Sequence, residues 1–349
     1  MLPGGTMHNL RILHLLILGL MLNACTGMPL QQCPAGTQNL PDCPPVEAVN
    51  DEKINALYDM RTWTPPSKLT IDPVKLGKQA EIPVNSADAK IIGPKHDEAL
   101  DSLATKIWLI ENARHTVDVT YYIFKPDLVG SAVLGALCNA VKRGVDVRIL
   151  VDSVGSMRPG HSDLRAVETC AVDAGFMRNT DGQITTKKAR VQVVVFNAVS
   201  KLQFNRRSHD KLMVVDGFFP DRATVITGGR NISLDYYGIN ADGTADLDAF
   251  RDLEILIRPG KHSDEEEYTV GKVSEIYNTL LFAHKGNRRI WPLKADDEFS
   301  EGEYDDSYIS HRAKGQKSLA RLKACPGIKQ RLDTMSSYRN EDFHAGQVR

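Results

Sequence analysis

The sequence predicts an α/β fold, with a mixed, largely parallel sheet flanked by helices. Three observations predict it. Segments of helical apolar period, Leu100 to Ile110 and Gly130 to Lys142, alternate with the β-branched runs Val117 to Phe124 and Val145 to Asp152. Such alternation is the pattern of helices packed on a sheet with parallel strands. The Val-rich run Arg190 to Phe196 reads as a strand buried on both faces, and Leu212 to Val215 is an apolar run too short for a helix. With 349 residues, 42% hydrophobic and 25% charged, the chain has room for a sizeable core.

The N-terminus comes first. Ile12 to Leu22 is apolar except at His14 and Gly19, follows Arg11 and ends at Leu22-Asn23-Ala24-Cys25. The run is shorter than the roughly 20 residues that span a bilayer, so residues 1–24 are expected to be a signal peptide, with Met7 an equally good start. Leu-Asn-Ala-Cys resembles the lipobox of bacterial lipoproteins. That resemblance implies lipidation of Cys25 and a lipid anchor in the membrane. Thr26, in place of the aspartate of inner-membrane retention, implies the outer membrane or a periplasm-facing position in the cell envelope. An ordinary signal peptide ending beside a chance cysteine is the alternative, and both readings take the chain out of the cytoplasm.

Residues 25–84 are rich in Pro, Gln, Asn and Asp and are expected to form a Pro-rich tether. Export makes disulfides available to Cys33, Cys43, Cys138, Cys170 and Cys325. Cys33 with Cys43 would staple the tether, the others have no evident pairing, and Cys138 on an apolar helix face reads as a core residue. No spacing suggests a zinc site, and no metal or other cofactor is expected.

The body is expected over residues 85–260. Its first helix starts near Asp97, with Leu100, Leu103, Ala104, Ile107 and Ile110 on one face. Leu164 to Ala174 is a third helix, Arg222 to Gly228 a strand, and Phe250 to Arg258 the closing strand. The acidic run Asp264 to Glu267 reads as solvated, and Val273 to Phe282 as a helix. Residues 261–349 are expected to be a linker helix and the start of an incomplete second half. The formal net charge of -1 excludes a broadly basic, nucleic-acid-coating protein, and nucleic acid is not the expected partner.

The chemistry concentrates in Ser208-His209-Asp210-Lys211-Leu212-Met213-Val214-Val215-Asp216-Gly217, a His-x-Lys-x4-Asp pattern, followed by Gly228-Gly229-Arg230-Asn231. Alternation along a strand puts His209 and Lys211 on one face. There a neutral imidazole can attack phosphorus while the ammonium neutralises its oxygens.

Together with Ile-Glu-Asn-Ala-Arg114, Tyr-Tyr-Ile-Phe124 and Arg143-Gly-Val-Asp-Val-Arg-Ile-Leu-Val-Asp152, these residues resemble the phospholipase D superfamily and its bacterial cardiolipin-synthase-like branch, over about Asp97 to Arg258. The resemblance implies phosphatidyl transfer between phospholipids through a phosphohistidine. His209 would be nucleophile or acid/base, Lys211 and Asn231 the phosphate ligands, Asp216 the carboxylate closing the signature, and Asp252, with Glu254 as alternative, the acid that orients the ring. Gly228 and Gly229 would let the backbone approach the phosphate as an anion nest. Many members have Gly-Ser there, so Gly229 lacks a hydroxyl. Arg206 and Arg207 would face the phosphate or solvent.

The implied reaction needs two histidines, and of ten only His209 has Lys two residues later. The second motif is expected from sequence beyond this chain, or else from a homodimer. An exported phosphodiesterase, phospholipase or nuclease, and a catalytically silent lipoprotein are the alternatives.

Overall fold

The computed structural model describes residues 48–64, 86–156, 161–196, 207–260, 268–284, 286–290 and 301–347. The signal peptide, Cys25, Cys33, Cys43, Arg206 and the acidic run Asp264 to Glu267 lie outside them.

The core is a mixed sheet. Its strands are β1 (Ser86–Ile92), β2 (Thr116–Tyr121), β3 (Asp146–Asp152), β6 (Val191–Phe196), β7 (Lys211–Val215), β8 (Thr224–Gly228), β9 (Glu254–Pro259), β10 (Arg288–Ile290) and β11 (His344–Gln347), in the order β10-β6-β3-β2-β7-β8-β9-β1-β11. Strands β2, β3 and β6 run parallel to one another, and the remaining neighbours pair antiparallel. The parallel part is thus confined to the strands linked by helical crossovers. A separate hairpin pairs β4 (Phe176–Arg178) with β5 (Ile184–Lys188).

Helices α2 (His96–Asn112) and α3 (Leu128–Lys142) cover one face, and α5 (Val270–Phe282) packs on the other. Alternation along β2 explains both faces. Val117, Val119 and Tyr121 join the large core cluster, while Asp118 and Thr120 point to the side of α5, where Thr120 bonds Asn278 at 2.5 Å. Asp127 starts α3 by accepting the Gly130 N–H at 3.0 Å.

Three expectations are corrected. Residues 48–63 are not tether: α1 (Glu52–Met60) buries Ile54 and Leu57, and Arg61 beyond it is fully buried, paired with Asp118 at 2.9 Å, Asp146 at 2.8 Å and Glu275. Burial alone would raise the Asp118 pKa, but Arg148 and Arg61 outweigh it and bring it down to about 2.

The described parts of residues 261–349, expected to open a second half, pack onto the first instead. Strand β10 extends one edge of the sheet and β11 the other. Helices α6 (Glu301–Ala324) and α7 (Pro326–Asp333) bury Leu319, Leu322 and Ile328 in the cluster shared with α2 and α3, and α8 (Met335–Tyr338) buries Met335 against Thr105 of α2.

Cys138 is not a free core thiol. It is disulfide-bonded to Cys170, which lies in a short 3-10 turn (Thr169–Asp173) continuing α4 (Ser162–Glu168). The predicted third helix is therefore split between two helical geometries. Among the described residues, Cys325 is a free, buried thiol.

Candidate active site

The site forms where β7 begins. Lys211 is the first residue of β7, in register with Tyr121 of β2. Its stem is buried at 5% exposure while His209, two residues before it, is exposed. Lys211 Nζ donates to the His209 carbonyl oxygen at 3.0 Å and lies 3.2 Å from His209 Nδ1 and 3.4 Å from Nε2. The expected partnership of ring and ammonium is present. Burial lowers the Lys211 pKa, opposed by the nearby charges of Asp252 and Asp210.

Surrounding groups fix this pair. Tyr122 lies against the His209 ring, centroids 4.7 Å apart and tilted by 49°, with Lys211 Nζ 5.7 Å from the Tyr122 centroid. Its backbone N–H donates to the Asp210 carbonyl at 2.9 Å. The Asp210 carboxylate accepts from Ser208 Oγ at 2.5 Å and from Tyr277 Oη of α5 at 2.9 Å. Asp152, at the end of β3, accepts the Ser208 N–H at 3.1 Å and the Val154 N–H at 2.8 Å. The loop carrying His209 is therefore held from β2, β3 and α5 together, and Arg207 Nη1 reaches Ser153 Oγ at 3.4 Å.

Asn231 is buried against the residue that follows Tyr122. Its Oδ1 accepts the Ile123 N–H at 2.9 Å and its Nδ2 donates to Tyr236 Oη at 2.8 Å. The second Nδ2 hydrogen remains for a ligand oxygen.

The glycines do something other than cradle phosphate. Gly228 has φ +151, and a Cβ there would strike the Leu253 carbonyl and Glu254 Cα of the adjoining strand. The Gly229 N–H donates to Leu253 O at 2.8 Å, so it is not open to an anion. A Cβ at Gly229 would fall inside the Asp252 carboxylate. The expected nest is thus replaced by close packing of β9, with Asp252 seated just before that strand and toward Lys211.

Two other candidate carboxylates lie away from the ring. Asp216 ends the signature at the far end of β7, about 16 Å along the strand from Lys211. It accepts the N–H groups of His115 at 2.8 Å, Thr116 at 3.0 Å and Arg114 at 3.1 Å, and pairs with Arg222 at 3.2 Å. Glu254 is fully buried with Lys106 at 2.6 Å and Arg230 at 3.5 Å, facing α2 and away from His209. Of the two acids considered for orienting the ring, Asp252 alone is on the site's side.

Tyr122 and Tyr277 meet the His209 loop from distant segments, which no local pattern reveals, and Tyr236 meets Asn231 from five residues further along the same loop. Among the described residues, no group of three or more His, Cys, Asp or Glu is arranged to hold a metal ion, and no helix is long and apolar enough to cross a membrane.

Comparison with known proteins adds the family. The domain described as "Cardiolipin synthase, PLD-like domain" matches residues 107–244. Cardiolipin synthase C of Escherichia coli is 32% identical over 172 residues, 46% of this chain and 30% of that protein. A cardiolipin synthase of Geobacillus kaustophilus is 26% identical over 180 residues, 50% of this chain and 30% of that one. The chain spans about a third of the length of these relatives. Among solved structures, the phospholipase D family member Nuc of Salmonella typhimurium superposes with a TM-score of 0.37 at 16% identity, covering 59% of this chain and 99% of that one. Phosphatidylserine synthase of Haemophilus influenzae gives 0.38 at 16% identity, covering 70% and 48%. The segment over residues 107–244, which carries the His209–Lys211 pair and Asn231, is thus similar to phospholipase D-like domains of the cardiolipin-synthase type.

Proposed function

We propose that the domain transfers phosphatidyl groups between phospholipids, as in cardiolipin synthesis. The observation that carries this reading is the apolar rim beside the phosphate-handling pair. Phe250 and Leu253, flanking Asp252, are 61% and 53% exposed, and Leu247 in the same loop is 74% exposed. Apolar side chains offered to solvent next to a phosphodiester site favour a lipid over a water-soluble phosphodiester. The cardiolipin synthases among the relatives support it.

His209 attacks phosphorus, a P–N bond forms, the P–O bond to the first alcohol breaks, and a second imidazole protonates the leaving oxygen. That same imidazole then deprotonates the acceptor alcohol, which attacks phosphorus and releases His209. Lys211 and the remaining Asn231 hydrogen hold the non-bridging oxygens, whose charge grows in the transition state. The second imidazole comes from another chain or from sequence beyond this one. Lipidation at Cys25 would keep the site at the membrane. The Cys138–Cys170 disulfide supports an oxidising location such as the cell envelope.

The test is incubation of the full chain with phosphatidylglycerol vesicles. Cardiolipin and glycerol are the expected products, with His209→Ala slower by about 10²–10⁴-fold. Phosphatidic acid in place of cardiolipin would make water the acceptor and the protein a phospholipase. No lipid product, with cleavage of single-stranded DNA instead, would overturn the lipid reading.

A further inference from the structure

A second positively charged cleft lies at the opposite end of β7. It encloses about 240 Å³ between the end of α2, the turn after β7 and the residue following α8, with Trp108, Asn112, Arg114, Arg222 and Arg339 in its wall. Val215 lines it, whereas Lys211 starts the same strand about 13 Å away. The cleft is therefore separate from the His209 site.

Its charges are not balanced internally. Arg222 is committed, with Nε on Asp216 at 3.2 Å and Nη2 on the Asn112 carbonyl at 2.9 Å. Arg339 lies with its guanidinium 4.3 Å from the Trp108 ring centroid, a contact that uses the face of the guanidinium and leaves its N–H edge. Among the described residues, neither Arg339 nor Arg114 has a carboxylate within ion-pair distance, and Asp221 on the rim pairs with none of the three arginines. Burial, then Arg222 and Arg258, depresses the Arg339 pKa, so like charges already crowd this half-buried cation. Three guanidinium groups around a cleft that holds one carboxylate, Asp221, suit a tetrahedral oxyanion, since their planar forks donate to it in pairs.

We propose that Arg114, Arg222 and Arg339 form a binding site for a phosphate-class oxyanion, distinct from the catalytic centre. Trp108 supplies one wall and the Arg339 N–H edge and Arg114 the donors. Free phosphate or a phosphomonoester and the headgroup of an anionic lipid share this chemistry.

The experiment uses the full chain carrying Lys211→Ala, which removes the phosphate ligand of the other site, and titrates inorganic phosphate at low ionic strength by calorimetry. Saturable binding is expected. Arg114→Gln with Arg339→Gln should weaken it by about tenfold or more, whereas the exposed pair Lys317→Gln with Lys329→Gln, which removes the same charge, should change it by about twofold or less. Flotation with phosphatidylglycerol-containing vesicles, against phosphatidylcholine alone, distinguishes the sources. Loss of flotation in the arginine variant identifies a headgroup site, and phosphate binding without flotation identifies a soluble ligand. Equal weakening by the arginine and lysine pairs, or no binding of either probe, overturns the proposal. If the arginine pair unfolds the protein, Asp221→Asn decides: it should tighten binding by about two- to fourfold, and unchanged affinity overturns the site.

Discussion

The Asp252 carboxylate occupies the space beside Gly229 that any Cβ there would need. Many members of the superfamily carry serine at this place, and here the missing side chain admits an acid whose charge acts on Lys211. Gly229→Ser and Gly229→Ala should therefore both displace Asp252, and both should slow turnover, by up to about a hundredfold for an ångström of misplacement. Initial rates on a phosphodiester reporter check this. A serine variant as fast as the parent would mean that the hydroxyl, not the space, is what matters.

Asp216 belongs to the signature but holds the fold. Its left-handed φ of 51 aims one carboxylate at three backbone N–H groups at the start of β2 and at Arg222. Asp216→Ala strands those donors and keeps the strained backbone, at a cost of about 3 kcal/mol. Asp216→Asn tolerates the φ and retains one oxygen, so about 1–2 kcal/mol is expected. Urea denaturation reads the loss, while turnover per folded molecule should stay within about twofold of the parent. A much larger drop in turnover at unchanged stability would return Asp216 to the active site.

Those two residues show where the sequence was legible. Helices α2 and α3 and strands β2, β3, β6 and β7 carry dense apolar periods, and the structure has each within a few residues of its expected bounds. Strand β1 (Ser86–Ile92) was not recognisable, because Asp88 and Lys90 interrupt it and its pairing with β9 and β11 comes from remote segments. Arg61 looked like a tether residue, since nothing local reveals that Asp118, Asp146 and Glu275 converge on it. His209, Lys211 and Asn231 were legible because their spacing is itself the signal. Asp216 shares their spacing, yet the strand rise, about 3.3 Å per residue, separates it from Lys211, and its partners at the start of β2 are not legible in the sequence.

Glu168 makes stability depend on pH. It is 1% exposed, with the Val193 N–H at 2.6 Å and Arg289 at 3.1 Å. Burial outweighs both partners and raises its pKa from 4.5 to about 7. The folded protein thus keeps the proton between those values while the unfolded chain releases it. Its contribution to stability is full at low pH, declines as pH rises from about 4.5 to 7, and levels off above, a fall of about 3 kcal/mol. Glu168→Gln keeps an acceptor for Val193 and removes the titration. Unfolding free energies of parent and variant, measured between about pH 5 and pH 8, should converge or cross by that amount. A constant difference between them would mean an unshifted carboxyl.

The Cys138–Cys170 bond ties α3 to the turn after α4 across 32 residues. Closing a loop of that length is worth roughly 3–4 kcal/mol through the unfolded chain. Both cysteines are buried, 4% and 1% exposed, so a reductant reaches them only when this region opens. Thiol alkylation of the native protein should therefore spare the pair without denaturant and label it after reduction in urea. Cys138→Ala with Cys170→Ala should lower the unfolding free energy by about 3 kcal/mol while leaving His209 and Lys211 in place, since neither cysteine contacts the β7 loop. The bond also bears on location, independently of the N-terminal sequence. Protein recovered from the cell envelope should show the pair oxidised, and protein held in a reducing cytoplasm should show it as thiols with the stability of the double variant. Finding the pair reduced in envelope-derived protein would remove the structural support for export and leave that expectation to residues 1–25 alone.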